Sequence, residues 1–125
     1  MKISSGVFQD KNLSRQFFSR HHEVFPFLNL EKAIAEGFIG SNIETFSLLD
    51  QAEKTCAILI ITPMTIRIGE RLFQTVQIGG MATSPQRRDK GFGGQLLSHV
   101  VDLYLPKIDF LFLFAHRGVV EFYPR

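Results

Sequence analysis

The residues best suited to chemistry form a short turn, RRDKGFGG, that runs from Arg87 to Gly94 and leads directly into the apolar run QLLSHVVDLYL. The first amides of a helix lack partners within the helix and lie at the positive end of its dipole. An anion is favoured there by about 0.3 to 1 kcal/mol per interaction. Glycines let an oxygen-rich group approach the backbone closely. The turn therefore predicts a phosphate or pyrophosphate site, with Arg87, Arg88 and Lys90 providing long-range attraction.

The glycines alone also fit a solvated turn that merely joins a strand to a helix, because short glycine motifs match by chance. Two familiar phosphate sites do not fit. A Walker A loop needs a Lys followed by Ser or Thr after its glycines, and no such pair follows this turn. A dinucleotide-binding loop needs G-x-G-x-x-G. Gly91 and Gly93 supply its first half, but Leu96 stands at the third glycine position.

The segments before the turn predict two helices and then an antiparallel meander. Apolar residues among charged ones predict a helix from Asp10 to Phe25, which ends before Pro26 because a residue that precedes proline disfavours helical geometry. A second, short helix is predicted from about Leu30 to Glu36. From Glu44 onward, three segments rich in β-branched and aromatic residues predict strands: TFSLLD, TCAILIITPMTIRI and RLFQTVQIGGMAT.

Proline and glycine divide these strands and the elements that follow them. Pro63 lies within the middle strand and predicts a bulge or bend there. The residues from Ile68 to Arg71 predict a tight hairpin that contains a glycine. After the turn, apolar residues at helical spacing predict a helix from about Phe92 to Leu105 with one face on a sheet. The apolar run from Phe110 to Ala115 predicts a strand covered on both faces.

Length and composition predict a single domain that spans residues 1–125, since 45% of the residues are hydrophobic and 21% are charged. The apolar runs are too short to span a membrane, and MKISSGVFQD does not resemble a secretory signal. A net charge of +2 is too small to indicate nucleic acid or a membrane surface as partner. The single Cys56 cannot form an internal disulfide, and no His or Asp is spaced to activate it. We expect a cytoplasmic protein without a metal.

The segment GGMATSPQRRDKGFGGQLL resembles the acetyl-CoA binding motif of the GNAT acetyltransferase superfamily, [RQ]-x-x-G-x-[GA] after a strand. The six motif positions are Arg88, Asp89, Lys90, Gly91, Phe92 and Gly93. The resemblance implies that Met81, Ala82 and Thr83 form the pantetheine-binding strand end, where a bulge turns backbone groups towards the cofactor. It also implies an α/β fold of layered α+β character: a mixed central sheet with N-terminal helices, an antiparallel meander and a β-turn-α cofactor motif.

The segment AHRGVVEFY, from Ala115 to Tyr123, is similar to the GNAT segment in which an Asn precedes a Tyr by seven residues. On this resemblance Tyr123 is the general acid that protonates the departing thiolate of coenzyme A, and an ordinary phenol pKa near 10 suits that task. An amphipathic core residue at a helix end is the alternative for Tyr123. The meander also looks like the N-terminal module of the enhanced intracellular survival type, a GNAT branch that acetylates aminoglycosides.

Three features depart from the GNAT pattern. His116 stands in place of the Asn, where it would contact the cofactor or act as a base, unless it only caps the following turn. The strand before the motif carries no carboxylate at the position where many relatives have a catalytic Glu, so the general base is unassigned. The chain ends at Arg125, whereas the family continues into two more strands. We therefore expect a truncated fold whose last strand exposes an edge, and with it self-association through that edge, capture of a partner or a truncated product of a longer gene.

Two functions follow from the sequence. The first is an acetyl-CoA-dependent N-acetyltransferase that acts on a primary amine of a small molecule or peptide, by direct attack of the amine on the thioester. The second is a non-catalytic acetyl-CoA binding module or an inactive, truncated acetyltransferase fragment. Both use acetyl-CoA as ligand, and neither involves nucleic acid, a membrane or a metal.

Overall fold

The structure, a computed structural model, describes residues 1–37 and 42–113. Within those ranges the strands form one five-stranded mixed sheet with strand order β1-β2-β3-β4-β5. The strands are β1 (Lys2–Ser5), β2 (Glu44–Leu49), β3 (Thr55–Ile68), β4 (Arg71–Thr83) and β5 (Phe110–Leu113). Neighbours from β1 to β4 pair antiparallel, and β5 joins β4 in parallel. The predicted mixed sheet and meander are confirmed. β1 was not predicted, because its sequence KISS is short and contains a single apolar residue.

In the described part of the chain, three α-helices accompany the sheet: α1 (Lys11–Val24), α2 (Leu30–Ala35) and α3 (Phe92–Tyr104). A side-chain oxygen caps each of the first two, since Asp10 accepts from the amide of Leu13 and Asn29 accepts from the amide of Lys32, both at 3.0 Å. Their observed bounds agree with the predicted ones to within about one residue.

The central strand β3 divides the core into two layers, because successive side chains of a strand point to opposite faces. Ala57, Leu59 and Ile61 pack with the apolar face of α3. Ile58 and Ile60 pack on the other face of the sheet, in the cluster that includes the buried residues of α1 and α2. The sheet is thus covered on both faces, and both ends of the turn before α3 are attached to packed elements.

Of the bulge or bend predicted at Pro63, the structure contradicts the bulge. Pro63 pairs in regular register with Val76 of β4, and the irregularity in the pairing lies nearer the start of β3. The pairing of β2 with β3 ends at Ile61, so Pro63 lies in the part of β3 that has no β2 residue opposite it. The Pro63 carbonyl accepts a bond from Asn42 on that side, at 3.2 Å. Proline has no amide N–H, and in a strand that N–H would point to the same side as the carbonyl of the residue. At Pro63 this side faces away from β4, so no hydrogen bond between β3 and β4 is lost.

The buried histidine of α1 gives the fold a dependence on pH. His21 is 4% exposed, and its ring centroid lies 4.8 Å from that of Phe25. Burial, and to a smaller extent the neighbouring charge of His22, lower the pKa of His21 below its usual 6.5. Between the folded and the unfolded pKa of His21, the unfolded chain therefore binds a proton at this imidazole and the folded chain does not. This contribution to stability is complete above the unfolded pKa and is lost as the pH falls towards the lowered folded pKa.

We expect the free energy of unfolding, measured in urea between about pH 5 and about pH 8, to decrease as the pH falls below the ordinary His value. His21→Phe should flatten this decrease, because phenylalanine fills the same apolar site without titrating. His99→Gln, at an exposed position of α3, is the matched control and should keep the slope. An unchanged slope in His21→Phe would assign the pH dependence to other groups.

Candidate functional site

The strand that leads to the turn contains a β-bulge. Ile58 of β3 pairs with Ala82 of β4, whereas Ile60 pairs with Gly79, so three steps along β4 match two steps along β3. Gly80 lies inside this irregularity with a φ of 56°, in the left-handed region that favours glycine. The resemblance implies a bulge at Met81–Thr83, and the observed one, between Gly79 and Ala82, includes Met81.

Packing requires a glycine at position 80, as does the backbone conformation there. A Cβ atom at Gly80 would lie 2.6 Å from Cδ1 of Ile60 and 2.9 Å from its Cγ1. Ile60 is 8% exposed and belongs to the core cluster on the α1 side. The absence of a side chain at Gly80 thus lets β4 approach β3 closely at the bulge.

The parallel pairing of β4 with β5 lies next to the same bulge. Among the described residues the register joins Thr75–Ile78 to Phe110–Leu113, and β4 itself runs on to Thr83. Bulges often redirect backbone groups next to a functional site. Ligands of open α/β sheets bind at the carboxyl ends of the parallel strands, and the end of β4 is such a place.

The turn itself brings backbone amides to the start of α3. Asp89 and Gly91 have φ angles of 65° and 76°, and Gly91 is the residue that caps the helix. The first backbone bond of α3 runs from the Gln95 amide to the Gly91 carbonyl at 2.9 Å. The amides of Phe92 and Gly93, and that of the next residue, precede this bond and have no carbonyl partner within the helix.

The turn is open beside two of its glycines. A Cβ atom built on Gly91 or on Gly94 would lie more than 4 Å from every described residue other than its chain neighbours and the helix's own backbone. The side chains of Arg88, Asp89 and Lys90 are exposed. The turn therefore offers open space, amide donors and two cationic side chains, and this combination suits the pyrophosphate of a nucleotide cofactor.

Arg87, which the sequence assigns to long-range attraction of the anion, is paired with two residues of the fold. Its Nη2 lies 2.6 Å from Oδ2 of Asp50, and its Nη1 donates to Sγ of the buried Cys56 at 2.7 Å. The amide of Lys54 and then the Arg87 guanidinium lower the pKa of the Asp50 carboxyl below its usual value. Arg87 thus fastens the turn to the β2–β3 connection. The sequence does not indicate this contact, because Asp50 and Arg87 are far apart along the chain.

The two predicted catalytic residues, Tyr123 and His116, lie outside the described residues. The cofactor-binding residues predicted on β4 and the turn all lie within them, in one continuous segment from Met81 to Gly93. In residues 1–37 and 42–113 no group of three or more His, Cys, Asp or Glu side chains could hold a metal ion. No helix in these two ranges is long and apolar enough to cross a membrane.

The fold and the turn together define the class of protein to which the structure is similar. Solved structures that resemble it include GNAT-type N-acetyltransferases, and the chain shares their α+β fold. Neither a protein-family model nor a curated protein sequence matches the chain.

Three of these structures illustrate the likeness. A putative acetyl transferase from Pyrococcus furiosus gives a TM-score of 0.75 at 12% identity, covering 98% of this chain and 88% of that one. An aminoglycoside acetyltransferase from an uncultured soil metagenomic sample, solved with sisomicin, gives 0.73 at 18% identity, over 96% and 80% of the two chains. Glucosamine-6-phosphate N-acetyltransferase from Arabidopsis thaliana gives 0.70 at 10% identity, over 98% and 88%.

Proposed function

We propose that the protein is an acetyl-CoA-dependent N-acetyltransferase that transfers an acetyl group to a primary amine of a small molecule or peptide. The observation that carries this proposal is the continuous arrangement of the Gly80 bulge, the strand end Met81–Thr83 and the glycine turn at the start of α3. An acetyltransferase fold and an anion site at the turn point to the same ligand.

Separate residues of the chain would bind the cofactor and transfer protons. The amides of Gly91, Phe92 and Gly93 bind the pyrophosphate, while Arg88 and Lys90 attract it through their charge. The backbone of Met81, Ala82 and Thr83 holds the pantetheine arm beside the bulge. Bound acetyl-CoA supplies the activated thioester. Tyr123 donates a proton to the departing thiolate of coenzyme A. His116 contacts the cofactor or accepts a proton from the amine.

Gly91→Ala tests the cofactor turn. We expect the affinity for acetyl-CoA, measured by isothermal calorimetry, to fall about tenfold or more, because the added methyl group enters the open space that the ligand needs and disfavours the left-handed backbone. The strain should also lower stability by about 1 kcal/mol.

Gly69→Ala is the matched control for this substitution. Gly69 has a φ of 63° in the β3–β4 hairpin, and a Cβ there would also meet nothing within 4 Å. It should lose a similar amount of stability and keep the wild-type affinity for acetyl-CoA. Equal affinity in both variants would count against the turn as the cofactor site.

The second candidate is a module that binds acetyl-CoA without turnover, because no general base is assigned. Release of coenzyme A in the presence of a panel of primary amines, aminoglycosides among them, distinguishes the two. Calorimetric binding without release would favour the module. Absence of binding would contradict both candidates. A cytoplasmic location, and self-association through the edge of the strand that begins at Phe110, stay predictions of the sequence.

A further inference from the structure

The carboxylate of Asp50 is held in place by the connection between β2 and β3. Its Oδ1 accepts hydrogen bonds from the amides of Ala52 and Lys54, at 2.8 and 2.9 Å. Its other oxygen, Oδ2, lies 2.6 Å from Nη2 of Arg87. Hydrogen bonds between ionised groups are shorter and stronger than those between neutral groups. Asp50 thus offers Arg87 a charged acceptor whose own position is fixed.

The segment between β4 and the glycine turn is attached to the start of β3 at both of its ends. The Ser84 amide donates to the Cys56 carbonyl at 2.8 Å, and Nη1 of Arg87 donates to Sγ of the same cysteine at 2.7 Å. Between these two contacts, the Arg87 amide donates to the Ser84 carbonyl at 2.8 Å and closes the 3₁₀ turn Pro85–Arg87. The chain therefore enters the glycine turn from a defined position.

The three residues after Arg87 expose their side chains, although one of them has a disfavoured backbone. The side chains of Arg88, Asp89 and Lys90 are exposed. The φ of Asp89 is 65°, in a region that an L-residue rarely adopts. A backbone of this kind persists where the surrounding structure holds it. The contacts of Arg87 lie directly before it in the chain, so they are placed to supply this support.

We propose that Asp50 is a positioning residue for ligand binding at the glycine turn. Through Arg87 it fixes the path of the chain into the turn, and with it the position of the backbone amides at the start of α3. It does so without touching the ligand. This inference rests on the proposed function, because it takes acetyl-CoA as the ligand whose pyrophosphate those amides bind.

For Asp50 the proposal predicts an effect of the opposite sign to that of charge alone. Acetyl-CoA is an anion, so the Asp50 carboxylate repels it and the Arg87 guanidinium attracts it. By charge alone, removal of the carboxylate would tighten binding and removal of the guanidinium would weaken it. If the two residues act as one positioning pair, both removals weaken binding, and the double variant is no weaker than either single one.

The test measures the dissociation constant of acetyl-CoA by isothermal calorimetry on the full chain. Asp50→Asn keeps an acceptor for the two backbone amides but presents an NH₂ group to Arg87, so the ion pair is lost while the connection is kept. We expect the constant to rise about three- to tenfold, and to the same value in Arg87→Gln and in the double variant. Arg87→Lys keeps the charge but not the planar fork that reaches both Asp50 and Cys56, and it should bind as weakly as Arg87→Gln.

Glu53→Gln is the matched control, because it removes the same charge from the same connection. Glu53 pairs with Lys2 at 3.2 Å, and both side chains are exposed. This variant should bind acetyl-CoA at least as tightly as the wild type does.

A second measurement separates ordering of the turn from a general loss of stability. In the ¹⁵N-labelled protein without ligand, the heteronuclear NOE reports the motion of backbone amides on the picosecond to nanosecond scale. We expect the amides of Asp89, Lys90 and Gly91 to be as rigid as those of α3 in the wild type and in Glu53→Gln. In Asp50→Asn their NOE values should fall, while those of α3 stay unchanged.

Tighter or unchanged binding in Asp50→Asn would overturn the proposal, as would additive losses in the double variant or equal weakening in Glu53→Gln. Wild-type affinity in Arg87→Lys would also overturn it, because charge alone would then suffice. Unchanged NOE values in Asp50→Asn would contradict the ordering of the turn by this residue. If the wild type does not bind acetyl-CoA, the proposed function fails, and the NOE values alone decide whether Asp50 orders the turn.

Discussion

Tyr123→Phe is expected to lower kcat for acetyl transfer by about 10² to 10³-fold, while acetyl-CoA still binds with nearly wild-type affinity. The proposed general acid supplies a proton only as the thiolate departs, so its loss affects the transition state far more than the bound ground state. The measurement combines the rate of coenzyme A release with the calorimetric dissociation constant of acetyl-CoA.

The chain offers a matched control, since it contains two tyrosines. Tyr104 is 9% exposed and packs edge-on against Phe46, with ring centroids 6.2 Å apart. Tyr104→Phe removes the same atom from the α3 core and should change kcat less than about twofold. If the two variants lose activity equally, or if Tyr123→Phe turns over normally, Tyr123 is not the acid. Loss of acetyl-CoA binding in Tyr123→Phe would instead indicate a structural role.

Gly80→Ala is expected to destabilise the fold by about 2 to 3 kcal/mol, a large fraction of the stability of a domain of this size. About 1 to 2 kcal/mol comes from forcing an L-residue into the left-handed region. The remainder comes from moving the Ile60 side chain, whose Cδ1 would lie 2.6 Å from the new methyl group. Urea unfolding followed by circular dichroism measures the difference.

Alanine substitutions at two other glycines distinguish the backbone strain at Gly80 from the steric clash with Ile60. Gly69→Ala carries the left-handed strain without a close neighbour and should lose about 1 kcal/mol, whereas Gly79→Ala carries neither and should stay within about 1 kcal/mol of the wild type. In an Ile60→Ala background, the effect of Gly80→Ala should shrink, because the obstructing atoms are gone. Equal losses at positions 79 and 80 would contradict this account of the bulge.

The sequence predicts the bounds of helices and strands well where the spacing of apolar residues and the positions of prolines and glycines agree. The bounds of α1 and α3 follow from apolar spacing and from Pro26 and Pro106, and the meander follows from its β-branched segments. Pro63 predicts a bulge or bend in β3 and no bulge lies there, whereas the bulge that the resemblance implies near Met81 is present. The better local signal is the Gly79-Gly80 pair, since glycine inside a strand often marks a bulge.

What the sequence does not predict depends on contacts between distant residues. The fastening of Arg87 to Asp50 arises only when the β2–β3 connection and the 3₁₀ turn meet. Charge counts along the chain assign Arg87 to the ligand, because they contain no information about the carboxylate that the fold brings to it. The resemblance to the acetyl-CoA motif compensates in part, since it assigns roles to the neighbouring Arg88 and Gly91 instead.

The anchoring of Arg87 also bears on how tightly the turn would bind the ligand proposed for it. One end of the turn is held by Asp50 and Cys56, and the other begins the helix that packs on the sheet. The conformational entropy of ordering these residues is therefore lost when the chain folds, rather than when the cofactor arrives. A preorganised turn of this kind favours a lock-and-key encounter, in which affinity rests on the exposed amides and not on the closure of a loop.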